Sequence, residues 1–141
     1  MRGKFLTIEG TEGVGKTTNI EFIKQWLDVG MDIGAHTQTH PDLTVISLEN
    51  AEKEINYCKS ELEKKFNIKI NDFCYPYGRF NDSIINILKK TSFKSATTMR
   101  RGRVNKGSDI FMLPRIPITY RTLPHLFLAK ILTKYEDKRQ A

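Results

Sequence analysis

The spacing of apolar residues along the chain predicts a series of helices. Apolar side chains recur at steps of three and four from Leu48 to Phe66, which is the period of an amphipathic helix. Ser47 stands directly before this run and is a suitable N-cap. Asn81 can cap a shorter helix that has a broad apolar side. Pro124 can begin a last helix, because the first helical position needs no backbone N–H.

Short runs of strand-forming residues alternate with these helices. Residues 4 to 9 form one such run, and a helix with one apolar face is predicted for about residues 15 to 28. Two further strands are predicted for residues 73 to 75, where Pro76 ends the run, and for residues 93 to 98. This alternation favours an α/β domain with mainly parallel strands.

The composition is that of a soluble globular chain. With 141 residues, of which 39% are apolar and 28% are charged, the chain has enough material for one modest core. Its longest apolar runs are far shorter than the roughly eighteen residues that a membrane-spanning helix needs. The first nine residues have no apolar signal-peptide core, so the sequence predicts a cytoplasmic protein.

The positive charge suggests one alternative, nucleic-acid binding. The formal net charge is +7, and Arg100, Arg101, Arg103 and Lys106 lie close together in a polar stretch. No nucleic-acid motif accompanies this cluster, and the other positive charges are lysines scattered over predicted helix faces. The sequence therefore does not favour a nucleic-acid partner.

Two of the three histidines are the main candidates for chemistry. His36 and His40 are four residues apart, so both imidazoles can lie on one side of a turn and bind one metal ion. Hydrolysis at such a metal needs at least a third protein ligand and an open position for water. Considered alone, the pair is more often a set of surface or packed histidines than a metal site.

The surrounding residues carry a family resemblance. The stretch GAHTQTHPDL around the two histidines resembles the His-(Ser/Thr)-x-x-His motif of NodB-type polysaccharide deacetylases, also called carbohydrate esterase family 4. The segment from Phe73 to Gly78, FCYPYG, is similar to the next family motif, and FMLPRIP from Phe111 to Pro117 resembles a later segment. Three motifs in the right order over about residues 30 to 118 favour the deacetylase interpretation over isolated histidines.

The resemblance implies a fold and a reaction. The family fold is a distorted (β/α) barrel of about seven strands, and this chain resembles about its latter half. The fold class expected here is therefore α/β: a partial (β/α) barrel preceded by a P-loop strand-loop-helix unit. The implied reaction is metal-dependent removal of acetyl groups from N-acetylated polysaccharides or oligosaccharides, with zinc as the expected metal.

The resemblance also implies roles for individual residues. His36 and His40 match the metal ligands, and the backbone N–H of Tyr77 matches the group that helps to hold the developing oxyanion. Cys74 stands where the family has an arginine that holds the catalytic aspartate. Arg115 is the candidate substitute for that arginine, and a surface salt bridge is the alternative role for it.

One family motif has no counterpart in this sequence. Thr-Phe-Asp-Asp-Gly supplies the general base and the third metal ligand in the family, and no Asp-Asp pair occurs in the chain. Glu9, at the end of the first predicted strand, is a candidate replacement ligand. The expected deacetylase activity is therefore strongly reduced or absent.

The beginning of the sequence carries a different motif. Residues 10 to 17 fit the P-loop pattern G-x-x-x-x-G-K-[ST], and they lie between a predicted strand and a predicted helix, as a P-loop does. Backbone N–H groups of such a loop surround a phosphate, the lysine reaches the outer phosphates and a hydroxyl meets magnesium. The candidates for binding ATP with magnesium are Gly10, Gly13, Gly15, Lys16, Thr17 and Thr18.

Residues 1 to 28 resemble the amino terminus of bacterial thymidylate kinase. The later kinase motifs, namely the Arg-Glu-Pro segment, the Asp-Arg pair and the lid, have no match. The sequence thus predicts a kinase-like P-loop segment at 1–28 joined to a truncated polysaccharide deacetylase domain at 29–141. Three functions remain open: an impaired deacetylase, an ATP-binding module and an inactive fusion remnant.

Overall fold

The computed structural model describes residues 16 to 139. Helices and strands alternate along this part of the chain, as the sequence predicts. The helices are α1 (Lys16–Asp28), α2 (Leu48–Phe66), α3 (Asp82–Lys90) and α4 (Pro124–Leu132), and the strands are β1 (Asp72–Cys74), β2 (Ser95–Arg101) and β3 (Leu113–Arg115). Short 3₁₀ turns occupy Pro76–Gly78 and Asp137–Arg139.

The strands form a parallel sheet in the order β1-β2-β3. Phe73 in β1 pairs with Ala96 in β2. On the other side of β1, Ala35 forms an isolated parallel bridge with Phe73, so the segment before the histidines continues the sheet. Because the carboxyl ends of parallel strands meet at one edge, the histidine loop and the turn after β1 emerge side by side. The α/β fold with parallel strands is confirmed.

The helices begin where the sequence places their caps. The Ser47 hydroxyl accepts a hydrogen bond from the backbone N–H of Asn50 at 3.3 Å, and the Asn81 side chain accepts one from Ile84 at 3.0 Å. At the other end of α2, Asn67 adopts the left-handed conformation that commonly ends a helix. The predictions for these helix starts, and for Pro124 as the first residue of α4, are confirmed.

The core lies between the sheet and the apolar faces of α2 and α3. Ala51 and Ile55 from α2, and Ile84 and Leu88 from α3, are each fully buried. Phe73 completes this layer from the sheet side. The amphipathic patterns of the two helices therefore account for the main core of the domain.

A second cluster anchors β3 to the core through Tyr75. The Tyr75 phenol is buried and donates a hydrogen bond to the backbone oxygen of Phe111 at 2.9 Å, and burial raises its pKa above the ordinary value. Its ring stacks on Phe80 with a centroid distance of 5.0 Å. The hydrogen bond between Tyr75 and Phe111 places the segment that leads into β3 against the end of β1.

The strand bounds differ from the predictions: β1 covers Asp72–Cys74 instead of residues 73 to 75, and β2 begins at Ser95 instead of residue 93. β2 extends to Arg101, three residues beyond the predicted end at residue 98, and β3 was not predicted because Pro114 lies at its centre. Proline is tolerated there because β3 pairs only with β2 within the described sheet and therefore has an edge position. The strand predicted for residues 4 to 9 lies outside the described residues.

Two arginines of the basic cluster at the end of β2 pair with the carboxyl-terminal segment. Arg101 lies 3.6 Å from the fully buried Glu136, which also lies 2.8 Å from Lys130. Arg103 donates to Asp137 through its backbone N–H and through two guanidinium nitrogens, at 2.8 to 3.0 Å. Two of the four basic residues that suggest a nucleic-acid contact are therefore engaged in ion pairs within the chain. Between residues 16 and 139, no helix is long and apolar enough to cross a membrane.

Candidate active site

The structure brings His36, His40 and Tyr77 together at the carboxyl edge of the sheet. The centroids of the two imidazole rings are 4.7 Å apart, and the His40 ring is also 4.7 Å from the Tyr77 ring. His36 follows the residue that bridges to β1, whereas Tyr77 lies in the turn that follows β1. Neighbouring strand ends therefore position the three rings.

The proton on His36 is assigned by its hydrogen bond. Its Nδ1 lies 2.8 Å from the backbone oxygen of Cys74. Because a carbonyl oxygen can only accept, Nδ1 must carry the proton in the neutral imidazole, which leaves the lone pair on Nε2. This is the usual state of a histidine that binds a metal through Nε2 while its other nitrogen is held by the protein.

The loop that carries the histidines has an uncommon backbone conformation. Thr37 has φ 65° and His40 has φ 58°, both in the left-handed region that disfavours side chains with a Cβ. Each such residue costs on the order of 1–3 kcal/mol, and residues of this kind cluster at functional sites. The Thr37 hydroxyl stabilises the loop, since it accepts a hydrogen bond from the His40 N–H at 3.1 Å.

The Pro-Tyr-Gly turn is equally constrained. Tyr77 has φ 56°, and the Gly78 N–H donates to the Tyr75 oxygen at 2.9 Å. Gly78 has φ 65°, and a Cβ at this position would lie 2.6 Å from the backbone nitrogen of Met99. Only glycine satisfies both conditions. The turn therefore holds the Tyr77 backbone in one place beside His40.

An ion pair connects the segment that follows the histidine loop to the residue that follows this turn. Arg79 Nη1 lies 2.6 Å from Asp42 Oδ2, and the same guanidinium lies 6.0 Å from the centroid of the Tyr77 ring. Hydrogen bonds from Thr44, together with that from Arg79, lower the pKa of Asp42 to about 2. Asp42 is thus ionised throughout the neutral range and can pair with Arg79.

Cys74 and Arg115 lie next to each other, and the backbone oxygen of Cys74 contacts His36. The buried Cys74 Sγ is 3.9 Å from Arg115 Nη1, at the carboxyl ends of β1 and β3. The structure therefore brings the candidate substitute to the position where the family motif has arginine. The role of Arg115 in holding a carboxylate stays a prediction.

The described residues contain the two candidate metal ligands but no third one beside them. Two imidazoles suit zinc, but between residues 16 and 139 no group of three or more His, Cys, Asp or Glu side chains could hold a metal ion. Glu9, the candidate third ligand, lies outside the described residues. A broad groove of about 940 Å³ runs along α2 and is lined by Gln38, Thr39 and Pro41, but by neither histidine.

The P-loop candidates fall at the boundary of the described part. Gly10, Gly13 and Gly15 lie outside it. Lys16, Thr17 and Thr18 form the first turn of α1, in agreement with the predicted helix after the loop. The structure therefore does not test the phosphate-binding role of these residues.

Sequence reasoning missed the polar contacts that support the site. Glu54, Asp42 and Arg79 were assigned no role. Glu54 contacts the histidine loop, the Arg79 backbone N–H donates to Pro76 in the turn, and Asp42 pairs with Arg79. One available signal was the position of Glu54 next to the buried Ile55, at the border between the apolar and charged faces of α2.

Comparison with known proteins identifies the family. The described part of the chain is an α/β domain of the parallel-sheet class, with a histidine pair at the carboxyl edge of the sheet. Within this class, the family model for polysaccharide deacetylase matches residues 10–96, which is more than half of the chain. The chain belongs to the polysaccharide deacetylase family.

Individual relatives agree with this assignment. The poly-β-1,6-N-acetyl-D-glucosamine N-deacetylase of Staphylococcus aureus is 30% identical over 74 residues, which are 52% of this chain and 26% of the relative. The solved structure of Streptococcus pyogenes deacetylase PplD in complex with acetate matches with a TM-score of 0.73 at 28% identity, covering 79% of this chain and 50% of that one. The chain thus spans about a quarter to a half of these relatives' lengths.

A short stretch of the chain has a separate relative. Thymidylate kinase of Marinomonas sp. is 71% identical over 28 residues, which are 20% of this chain and 13% of the kinase. This similarity agrees with the resemblance of residues 1 to 28 to a kinase amino terminus.

Proposed function

We propose that the chain is a metal-dependent polysaccharide deacetylase-like hydrolase with impaired activity, in which His36 and His40 bind the metal. The observation that carries the proposal is the state of His36, whose protonated Nδ1 is held by the Cys74 oxygen so that Nε2 is available as a ligand. His40 lies close enough to share the ion, since the two rings are 4.7 Å apart. Zinc is the proposed metal because both ligands are imidazoles.

The remaining residues of the site would orient the acetyl group. A bound divalent ion would supply polarisation of the acetyl carbonyl and an activated water. The Tyr77 backbone N–H, fixed by the strained turn, would donate to the oxygen that becomes negatively charged. The Tyr77 ring is about half exposed beside His40 and gives a sugar ring an aromatic wall.

The proposed substrates are N-acetylated polysaccharides or oligosaccharides. The staphylococcal relative is named for deacetylation of poly-β-1,6-N-acetyl-D-glucosamine, and only the substrate class is transferred to this chain. Activity is proposed to be low because no Asp-Asp pair is present to supply the general base and third ligand. Arg115 beside Cys74 is proposed as the group that holds a carboxylate there.

We also propose that the domain boundary lies near residue 28, between a kinase-like segment and the deacetylase domain at 29–141. The similarity to thymidylate kinase over 28 residues supports this boundary. It also favours a second candidate function, ATP binding with magnesium at the P-loop. The first function is preferred because the described geometry assembles its residues.

The test is acetate release from N-acetylglucosamine oligomers by the zinc-loaded protein. We expect slow release that stops on metal chelation and in the variant His36→Ala/His40→Ala. A protein that is folded and loaded with zinc but releases no acetate would contradict the hydrolase proposal and leave family membership intact. Release that persists in the double variant would contradict the assignment of the two ligands.

A further inference from the structure

The carboxylate of Glu54 holds the two residues that separate the histidines. Its Oε2 accepts hydrogen bonds from the backbone N–H groups of Gln38 and Thr39, both at 2.9 Å. Its Oε1 accepts a third from the Thr39 hydroxyl at 2.7 Å. Burial opposes ionisation of Glu54, but these hydrogen bonds outweigh it and lower its pKa below the ordinary value.

The loop needs an external support of this kind. Thr37 and His40 flank the held residues and both have positive φ, a conformation that an unsupported loop would leave. Hydrogen bonds from N–H groups to a carboxylate are about twice as strong as those between neutral groups. The three contacts of Glu54 therefore offset part of the conformational cost of the loop.

The support comes from a rigid element. Glu54 lies on α2 beside Ile55, and one turn after Ala51, and both of these residues are fully buried in the core. The position of the helix is thus fixed by packing, and Glu54 transmits this position to the loop. When a supporting side chain such as Glu54 holds the loop that carries the candidate ligands, the loop keeps its geometry without a bound ligand.

We propose that Glu54 is a positioning residue that preorganises the 36–40 loop so that both imidazoles face one metal ion. It contacts the loop backbone and Thr39, so it acts through the loop and not on the substrate. The metal part of the inference rests on the proposed function. The effect on the loop itself does not, because it is a property of the metal-free chain.

The test compares Glu54→Gln with a matched control, Glu49→Gln. Glu49 is an exposed carboxylate on the same helix and pairs with Lys53 at 2.6 Å. In the metal-free protein, we expect Glu54→Gln to accelerate amide hydrogen exchange at Gln38 and Thr39 about 10-fold or more. Zinc affinity, measured by calorimetry, should fall about 10-fold to 100-fold, as for other residues that orient metal ligands. The control should change neither quantity.

The two measurements test separately the effect of Glu54 on the loop and its effect on zinc binding. Exchange at Gln38 and Thr39 that is the same in Glu54→Gln and wild type would overturn the inference, as would equal losses of zinc affinity in both variants. If the wild type takes up no zinc, the proposed function fails, and the exchange measurement still decides the role of Glu54. Thr39→Val removes only the hydroxyl contact and should give a smaller change in the same direction, which provides a test if Glu54→Gln does not fold.

Discussion

At the residue scale, backbone conformation limits what can stand in the candidate site. Thr37, His40 and Tyr77 are non-glycine residues with positive φ, and all three lie in the histidine loop or the turn beside it. Gly78 follows with φ 65° and with Met99 directly against its Cα. The site is therefore built on strained positions that the surrounding contacts hold in place.

Gly78→Ala should destabilise the protein more than Gly30→Ala. Both glycines have positive φ, so alanine at either position costs roughly 1–2 kcal/mol of backbone strain. Only at Gly78 would the new Cβ also meet backbone, 2.6 Å from the Met99 nitrogen, whereas nothing lies within 4 Å at Gly30. Urea denaturation of both variants measures the difference, and equal losses would contradict the close packing of the turn.

At the element scale, side-chain contacts connect segments that are distant in the sequence. Arg103 joins the end of β2 to Asp137, and Arg79 joins the turn after β1 to Asp42. Hydrogen bonds from Arg103 lower the pKa of Asp137 below its ordinary value of 3.8. The Asp137 carboxylate therefore stabilises the fold above the pKa of the unfolded chain, and this contribution disappears as the pH falls through the lower folded pKa.

Asp137→Asn should lower stability at neutral pH by an amount that vanishes in acid. The difference between wild type and variant should be constant above about pH 5, where both the folded and the unfolded carboxyl are ionised. It should narrow as the pH falls below 3.8, the ordinary value for Asp137. Urea denaturation at a series of pH values provides the measurement, and a difference that grows in acid would reverse the assigned sign.

Local signals in the sequence predicted elements better than the contacts between them. Ser47 and Asn81 located two helix starts, because a cap acts on residues only three positions away. β3 was not predicted because it contains Pro114. Proline is tolerated in a strand only when pairing on one side is absent, and the sequence does not show that β3 has such an edge position. The position of Glu54 beside the apolar face of α2 indicated partial burial only, and its contacts were missed because the partners lie 15 and 16 residues away.

At the scale of the whole molecule, the hydrophobic core of residues 16 to 139 does not extend to α4. Packing concentrates on the sheet, α2 and α3, where Ile55 and Leu88 are fully buried. In α4, by contrast, Phe127, Leu128 and Leu132 remain 40% to 71% exposed. The free energy of folding for the described part should therefore depend on the first layer and little on the apolar residues of α4.

Leu88→Ala should destabilise the protein by about 2–5 kcal/mol, because it leaves a cavity in a fully packed position. Leu128→Ala removes the same atoms from a side chain that is 53% exposed, so its effect should be about 0.5 kcal/mol or less. Chemical denaturation compares the two variants directly. Similar losses at both positions would show that α4 is packed against something that the described residues do not supply.

The family motifs selected residues that the structure places at one edge of the sheet, and the parallel strands explain this arrangement. His36, Tyr77 and Arg115 lie 38 or more positions apart, and each follows or ends a segment of the same parallel sheet. A third ligand for the proposed metal could not be assigned in this way, since the sequence contains no Asp-Asp pair. The central question is therefore whether His36 and His40 bind a metal in this chain.

Calorimetric titration of the metal-free protein with zinc answers this question most directly. We expect the wild type to take up about one equivalent of zinc and His36→Ala/His40→Ala to take up none at this site. His125→Ala, which changes an exposed histidine on α4, is the matched control and should bind as the wild type does. Absence of zinc uptake by the folded wild type, or unchanged uptake by the double variant, would contradict the proposed metal centre.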